Sequence, residues 1–184
     1  MKRNLLLISL IILFSVSCTQ DKTEIGLEYH ETIVNQQTEV LDAFEEVLDA
    51  VTNDIEILQL KQETAIKITQ EAIKETEKIE IIENGEILKT KSLNLLQGIN
   101  GILTTKIEKI IEIRKTLNLE FKDELVDELN EIILISHDHI DSLIIDFNKA
   151  QIDFGSYYNF KLIEEKDEQL DSDSIIKQNK ILQK

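Results

Sequence analysis

The sequence predicts an all-α protein, an up-down-up-down four-helix bundle of long antiparallel helices, and three observations carry that expectation. The 184 residues include no proline and only five glycines, whereas a β-sandwich or barrel needs turn residues about every 8–12 positions. Apolar residues, 42% of the chain, recur at 3- and 4-residue spacing through four segments of roughly thirty residues each. Short polar breaks join the segments, which makes consecutive helices antiparallel neighbours. Ile and Leu dominate the apolar set beside many Glu, Lys, Asp and Asn. Such usage is typical of AT-rich bacterial genomes, so the Ile content is no argument for strands.

Residues 1–17 stand apart from the bundle. Lys2 and Arg3 precede an apolar run of twelve residues, Leu5 to Val16. A spanning helix needs about 20, so the run reads as the apolar region of a signal peptide. Cys18, the only cysteine, follows Ser15-Val16-Ser17. This segment resembles the lipobox of bacterial lipoproteins in its small residue before the cysteine. It departs from that pattern at Ser15, where Leu is usual. The resemblance implies a mature protein that starts at Cys18, carries acyl chains such as palmitate there, and sits on a membrane. Ordinary signal-peptidase cleavage, leaving a free Cys18, is the alternative. An unpaired cysteine in an exported protein calls for an explanation, and lipidation provides one. Residues 18–23 then form a short polar tether that suits sorting to the outer membrane.

The bundle is expected over residues 24–160. In its first helix Ile33, Val40, Phe44, Val47 and Val51 form the stripe, widened by Val34, Leu41 and Leu48. A stripe of that width suits a bundle core. Asn53 and Glu56 have capping-box spacing for the second helix, whose stripe runs Leu58, Ala65, Ile68, Ala72, Ile79 and Ile82. Asn84-Gly85 ends it, since both residues tolerate the left-handed C-cap conformation. The rival reading is a β-hairpin over residues 79–88 around Asn-Gly. Leu96, Ile99, Leu103, Ile110, Ile113 and Leu117 define the third helix, in which Gly98 and Gly101 mark a close approach or a bend. After a break at Asn118, the last helix carries Leu125, Leu129, Ile132, Ser136, Ile140, Leu143, Phe147, Ala150 and Phe154, ending near Gly155. Residues 161–184 read as a polar tail, flexible or loosely docked, with apolar Ile175, Ile176, Ile181 and Leu182.

Charge excludes some partners. The net charge of −16 becomes −18 once Lys2 and Arg3 leave with the leader. That argues against nucleic acid, which requires basic patches, and against electrostatic docking to anionic lipid. Residues 24–52 contain eight acids and no base, and residues 120–160 ten acids and two bases. Residues 86–117 reverse the sign, with three acids and six bases. First and last helices are neighbours in an up-down bundle, so the two acidic elements share one side. Such a side either is a solvated face or docks a basic protein partner or divalent cations.

No catalytic or cofactor motif emerges. No serine lies in a Gly-x-Ser-x-Gly context, and Gly98-x-x-Gly101 lacks the Gly-Lys-Ser/Thr ending of a phosphate loop. The densest ligand-bearing run is His137-Asp138-His139-Ile140-Asp141. Imidazole and carboxylate at i and i+4 can ligate zinc or iron, and this level of the last helix faces Glu45 and Glu46 of the first. Di-metal bundles need inward Glu-x-x-His pairs, which the chain lacks, so the run reads first as a polar surface patch with one histidine near the core edge. His30 and Gln37 fall on the core-facing stripe before Phe44 and read as polar core residues. Tyr157, Tyr158 and Phe160 either form a recognition patch or close the bundle's end against Tyr29 and His30.

Two stretches carry a further resemblance: Tyr29-His30-Glu31-Thr32-Ile33-Val34-Asn35-Gln36-Gln37, and Ala150-Gln151-Ile152-Asp153-Phe154 with Tyr158-Asn159-Phe160. They resemble a family of helical bacterial surface lipoproteins with no established activity. What this implies is a surface location and a helical domain, with no site residues to carry over. The expectation is therefore a non-catalytic, lipid-anchored envelope protein acting by protein contact or as a structural element. A metal- or small-ligand-binding bundle using His137 to Asp141 is the alternative.

Overall fold

The computed structural model describes residues 21–162 and is all-helical over them. The elements are α1 (Lys22–Ala50), α2 (Ile55–Lys78), α3 (Glu86–Gly101), a π-helical turn (Ile102–Ile107), α4 (Glu108–Leu117) and α5 (Asp123–Tyr158). The π turn joins α3 to α4 in one continuous rod, so four rods correspond to the four periodic segments. The leader, Cys18, the tether as far as residue 20 and the tail from residue 163 lie outside the described residues.

Cross-rod contacts give the directions. Lys61 near the start of α2 reaches Glu46 near the end of α1 at 2.6 Å. Lys91 of α3 pairs with Asp146 late in α5, and Lys109 of α4 with Glu128 early in it. His30 near the start of α1 meets Gln151 near the end of α5. Each neighbouring pair is thus antiparallel, and α1 packs against both α2 and α5. This pattern fits the up-down-up-down order. One end of the bundle gathers the start of α1, the 79–85 connection and the end of α5. The other end gathers the 51–54 and 118–122 connections.

The stripes go where their periodicity sends them. Ile33, Val40, Phe44 and Val47 of α1, Leu58, Ala65 and Ala72 of α2, and Leu96, Ile99, Leu103 and Ile110 of the third rod are all buried. Phe147, Ala150 and Phe154 complete the core from α5. The first half of α5 is less enclosed: Leu129, Ile132 and Ile133 pack only partly buried against it.

Helix ends required three corrections. The cap of α2 is Asp54, whose carboxylate accepts from the Glu56 amide at 2.9 Å, rather than Asn53. The helix stops at Lys78, so Ile79 and Ile82 lie in the connection and pack on the core from there. The reason is Lys89, whose ammonium donates to the Glu77 and Ile79 carbonyls at 2.8 and 2.7 Å. Those carbonyls thereby gain a cationic partner in place of the next helical turn. Lastly, α5 runs through Gly155 to Tyr158 and ends on Asn159 in the left-handed conformation, φ 63°.

Asn84-Gly85 makes a helix–helix turn, and no strand occurs among the described residues. Asn84 takes the left-handed conformation (φ 56°), whereas Gly85 is needed for space. A β-carbon on Gly85 would come within 2.8 Å of the Tyr29 ring, whose hydroxyl donates to the Gly85 carbonyl at 3.1 Å. Gly98 is likewise a site of close approach, against Leu143 of α5. Gly101 faces open space and precedes the π turn.

Candidate functional site

The polar members of the His137–Asp141 run are exposed on α5, while Ile140 among them is buried in the core. His137 Nδ1 is 3.1 Å from Asp141 Oδ2, and both side chains are about half exposed (48% and 53%). Helical spacing alone makes this pair. Asp138 and His139 are exposed, and the His139 ring lies beside Gly98 of α3. Glu46 turns away to Lys61 of α2. No group of three metal-ligating side chains forms among the described residues. The site the run offers is two residues on one helix, open to water.

The polar residues on the core stripe have a different setting. His30 is buried, donates from Nε2 to Gln151 Oε1 at 2.9 Å, and packs edge-on against Phe160. Burial pushes the His30 pKa down, partly opposed by the Gln151 hydrogen bond and by Glu31. About two turns deeper, the Gln37 amide donates to the Ser92 hydroxyl of α3 across the core. Gln37 Oε1 itself finds no protein partner. Such hydrogen bonds fix which residues lie opposite one another, because a slipped register would strand buried polar atoms.

Sequence reasoning missed Gln62 and Lys89. Gln62 is buried, and its amide donates to the Leu103 carbonyl inside the π turn at 2.7 Å. Its position four residues after Leu58 on the buried stripe was the available signal. Lys89 had none, since its role depends on where α2 stops.

At the α1-start end, Tyr29, Phe154 and Tyr158 stack with centroids 5.4 and 4.7 Å apart. The Tyr158 hydroxyl donates to the Glu83 carbonyl at 2.7 Å. Gly26 lets the Tyr158 ring lie directly on α1, where a β-carbon would come within 2.3 Å. Burial, with Tyr158 nearby, pushes the Tyr29 hydroxyl up to about 12. Tyr158, beside Phe154 and Tyr29, and Phe160, against His30, close the bundle's end, the second of the two expectations for these aromatics. Tyr157 is only partly buried, beneath the Lys22 ammonium, which lies 3.6 Å from its ring centre. A groove of about 610 Å³ runs along the last turns of α5, lined by Asn148, Gln151, Ile152, Phe160 and Leu162. It is open to solvent and holds no cluster of reactive groups.

The acids of α1 and α5 point outward. Glu39, Asp42, Glu45, Glu46 and Asp49 on α1 are exposed, as are Glu131, Asp138, Asp141, Asp146 and Asp153 on α5. Lys61 and Lys91 reach in from the edges of this side to Glu46 and Asp146. At the opposite end from the aromatic cluster, Leu119 and Phe121 stand 90% and 71% exposed in the short α4–α5 connection.

No family model, curated protein or solved structure matches the chain. No helix among the described residues is long and apolar enough to cross a membrane.

Proposed function

We propose that this is a lipid-anchored bacterial envelope protein, held through acyl chains on Cys18 to the outer membrane. Its role is non-catalytic: it binds a basic protein partner on the side formed by α1 and α5. The charge layout is the observation that carries this reading. α1, with eight acids and one base, packs beside α5, with nine acids and one base, so like charge accumulates on this side. Such a field steers a basic partner and opposes other anionic surfaces. The leader, with Lys2 and Arg3 before a twelve-residue apolar run and a small residue before Cys18, supports the location.

The test uses the acylated protein on intact cells and in purified form. Protease added to intact cells removes the bundle if it faces outward. Basic proteins captured from envelope fractions are then titrated against the purified protein at low and high salt. The reading expects affinity to fall about tenfold or more as exposed charges are screened, and again when Glu39, Asp42, Glu45 and Asp49 are made neutral. Binding indifferent to salt and to those substitutions would sink it.

A further inference from the structure

We propose that the aromatic end of the bundle is a lipid-facing surface that rests on the bilayer holding the anchor, with Ile81 and Ile87 in the headgroup layer. This rests on the lipid-anchor reading and adds an orientation and a second membrane contact to it.

Tether length sets the geometry. Cys18 is four residues before Lys22, the first residue of α1. Fully extended, four residues span at most about 14 Å. The headgroup layer on each side of the hydrocarbon core is itself roughly 5–8 Å thick. An acylated Cys18 therefore holds the start of α1 at the membrane surface. The 29 residues of α1 carry the opposite end, with Leu119 and Phe121, about 43 Å away along the helix.

What occupies the near end suits that position. Ile81 and Ile87, 56% and 67% exposed, flank the connection that receives the Tyr29 and Tyr158 hydroxyls. Ile25 and Leu27 add apolar surface from the first turns of α1, at 36% and 38% exposure. Tyr157 beneath Lys22 completes it. Aromatic rings with a polar edge favour the membrane–water boundary, so a modest apolar contact at the tether's root orients a bundle that the acyl chains already hold. Glu24, Glu80, Glu83 and Glu86 are exposed around it, which keeps the contact shallow and directs it to zwitterionic lipid.

The chain has no tryptophan, so a single introduced one reports its own surroundings. Full-length I87W and L119W proteins, expressed in a lipoprotein-processing bacterium and extracted with their acyl chains, are reconstituted into phosphatidylcholine vesicles with brominated acyl chains. The expected result is blue-shifted I87W emission, quenched at least twofold more than that of L119W. I81W gives a second reading should I87W perturb the α3 start, and helicity confirms the fold of each. Equal quenching in a protein shown by mass spectrometry to be acylated at Cys18 overturns the orientation alone. A Cys18 without acyl chains, in protein that stays off the vesicles, overturns the anchor and this inference together.

Discussion

The side-chain amide of Gln62 donates to the main-chain carbonyl of Leu103 at 2.7 Å, joining α2 to the π-helical turn of the third rod. Helices depart from regular geometry where a side chain inserts into their ladder, and here the inserted group comes from a buried position on the neighbouring stripe. Gln62→Leu preserves bulk while removing the donor. It is expected to lower stability by about 1–3 kcal/mol, the range for a buried carbonyl left without its partner. Urea unfolding measures it; unchanged or increased stability would show that the π turn holds Leu103 without help.

The π turn also marks where reading the chain stopped short. Periodicity gave four rods because Ile33, Val40, Leu58, Leu96 and Phe147 repeat at helical spacing and each is buried. A π turn leaves that pattern almost unchanged, since it inserts a local shift inside an already apolar stretch. The end of α2 was hidden for another reason. Ile79 and Ile82 continue the helical spacing and pack on the core, while the chain between them and Lys78 has already left the helix. Only Lys89, eleven residues downstream of Lys78 and folded back on the Glu77 and Ile79 carbonyls, distinguishes the two arrangements. His30 and Gln37 were legible because helical phase alone aims them inward; their partners Gln151 and Ser92 depend on cross-rod register.

His30 gives the bundle an acid-sensitive element. Burial lowers its pKa below the usual 6.5 or so, so below that value the unfolded chain takes up a proton that the folded chain resists. Stability falls as pH drops from the ordinary histidine value through the folded one. The imidazole signals of His30 should titrate with a midpoint under about 6.5 in NMR spectra. His30→Gln should flatten the decline in melting temperature between pH 7 and 5 relative to the parent. An unchanged slope would show that carboxylates alone set the acid limb.

Gly26 and Gly101 should respond in opposite directions to the same substitution. A methyl at Gly26 would lie 2.3–2.5 Å from the Cγ, Cβ and Cδ1 atoms of Tyr158, a ring fixed at its far end by the Glu83 carbonyl. Gly26→Ala is expected to cost about 1–3 kcal/mol through overpacking, with loss of near-ultraviolet tyrosine dichroism. At Gly101 nothing lies within 4 Å of the new carbon. Gly101→Ala should gain up to about 1 kcal/mol from helix propensity, read as a melting temperature higher by a few degrees. A destabilising Gly101→Ala would mean the π turn itself requires glycine.

The bundle should also become more stable as salt is added. Exposed ion pairs such as Lys61–Glu46, Lys91–Asp146 and Lys109–Glu128 contribute about 0–1 kcal/mol each, and screening removes part of that. Against them stands repulsion between α1 and α5, which pack together while carrying eight and nine acids. Their exposed carboxylates are numerous and have few bases among them, so the repulsive sum exceeds three discrete attractions. Raising sodium chloride from about 20 mM to about 300 mM, where the screening length falls to a few ångströms, should raise the melting temperature by a few degrees. The same rise should shrink when Glu39, Asp42, Glu45 and Asp49 are made neutral. A melting temperature that falls with salt would assign the net electrostatics to the ion pairs, and would remove the argument that this side stores repulsion a basic partner relieves.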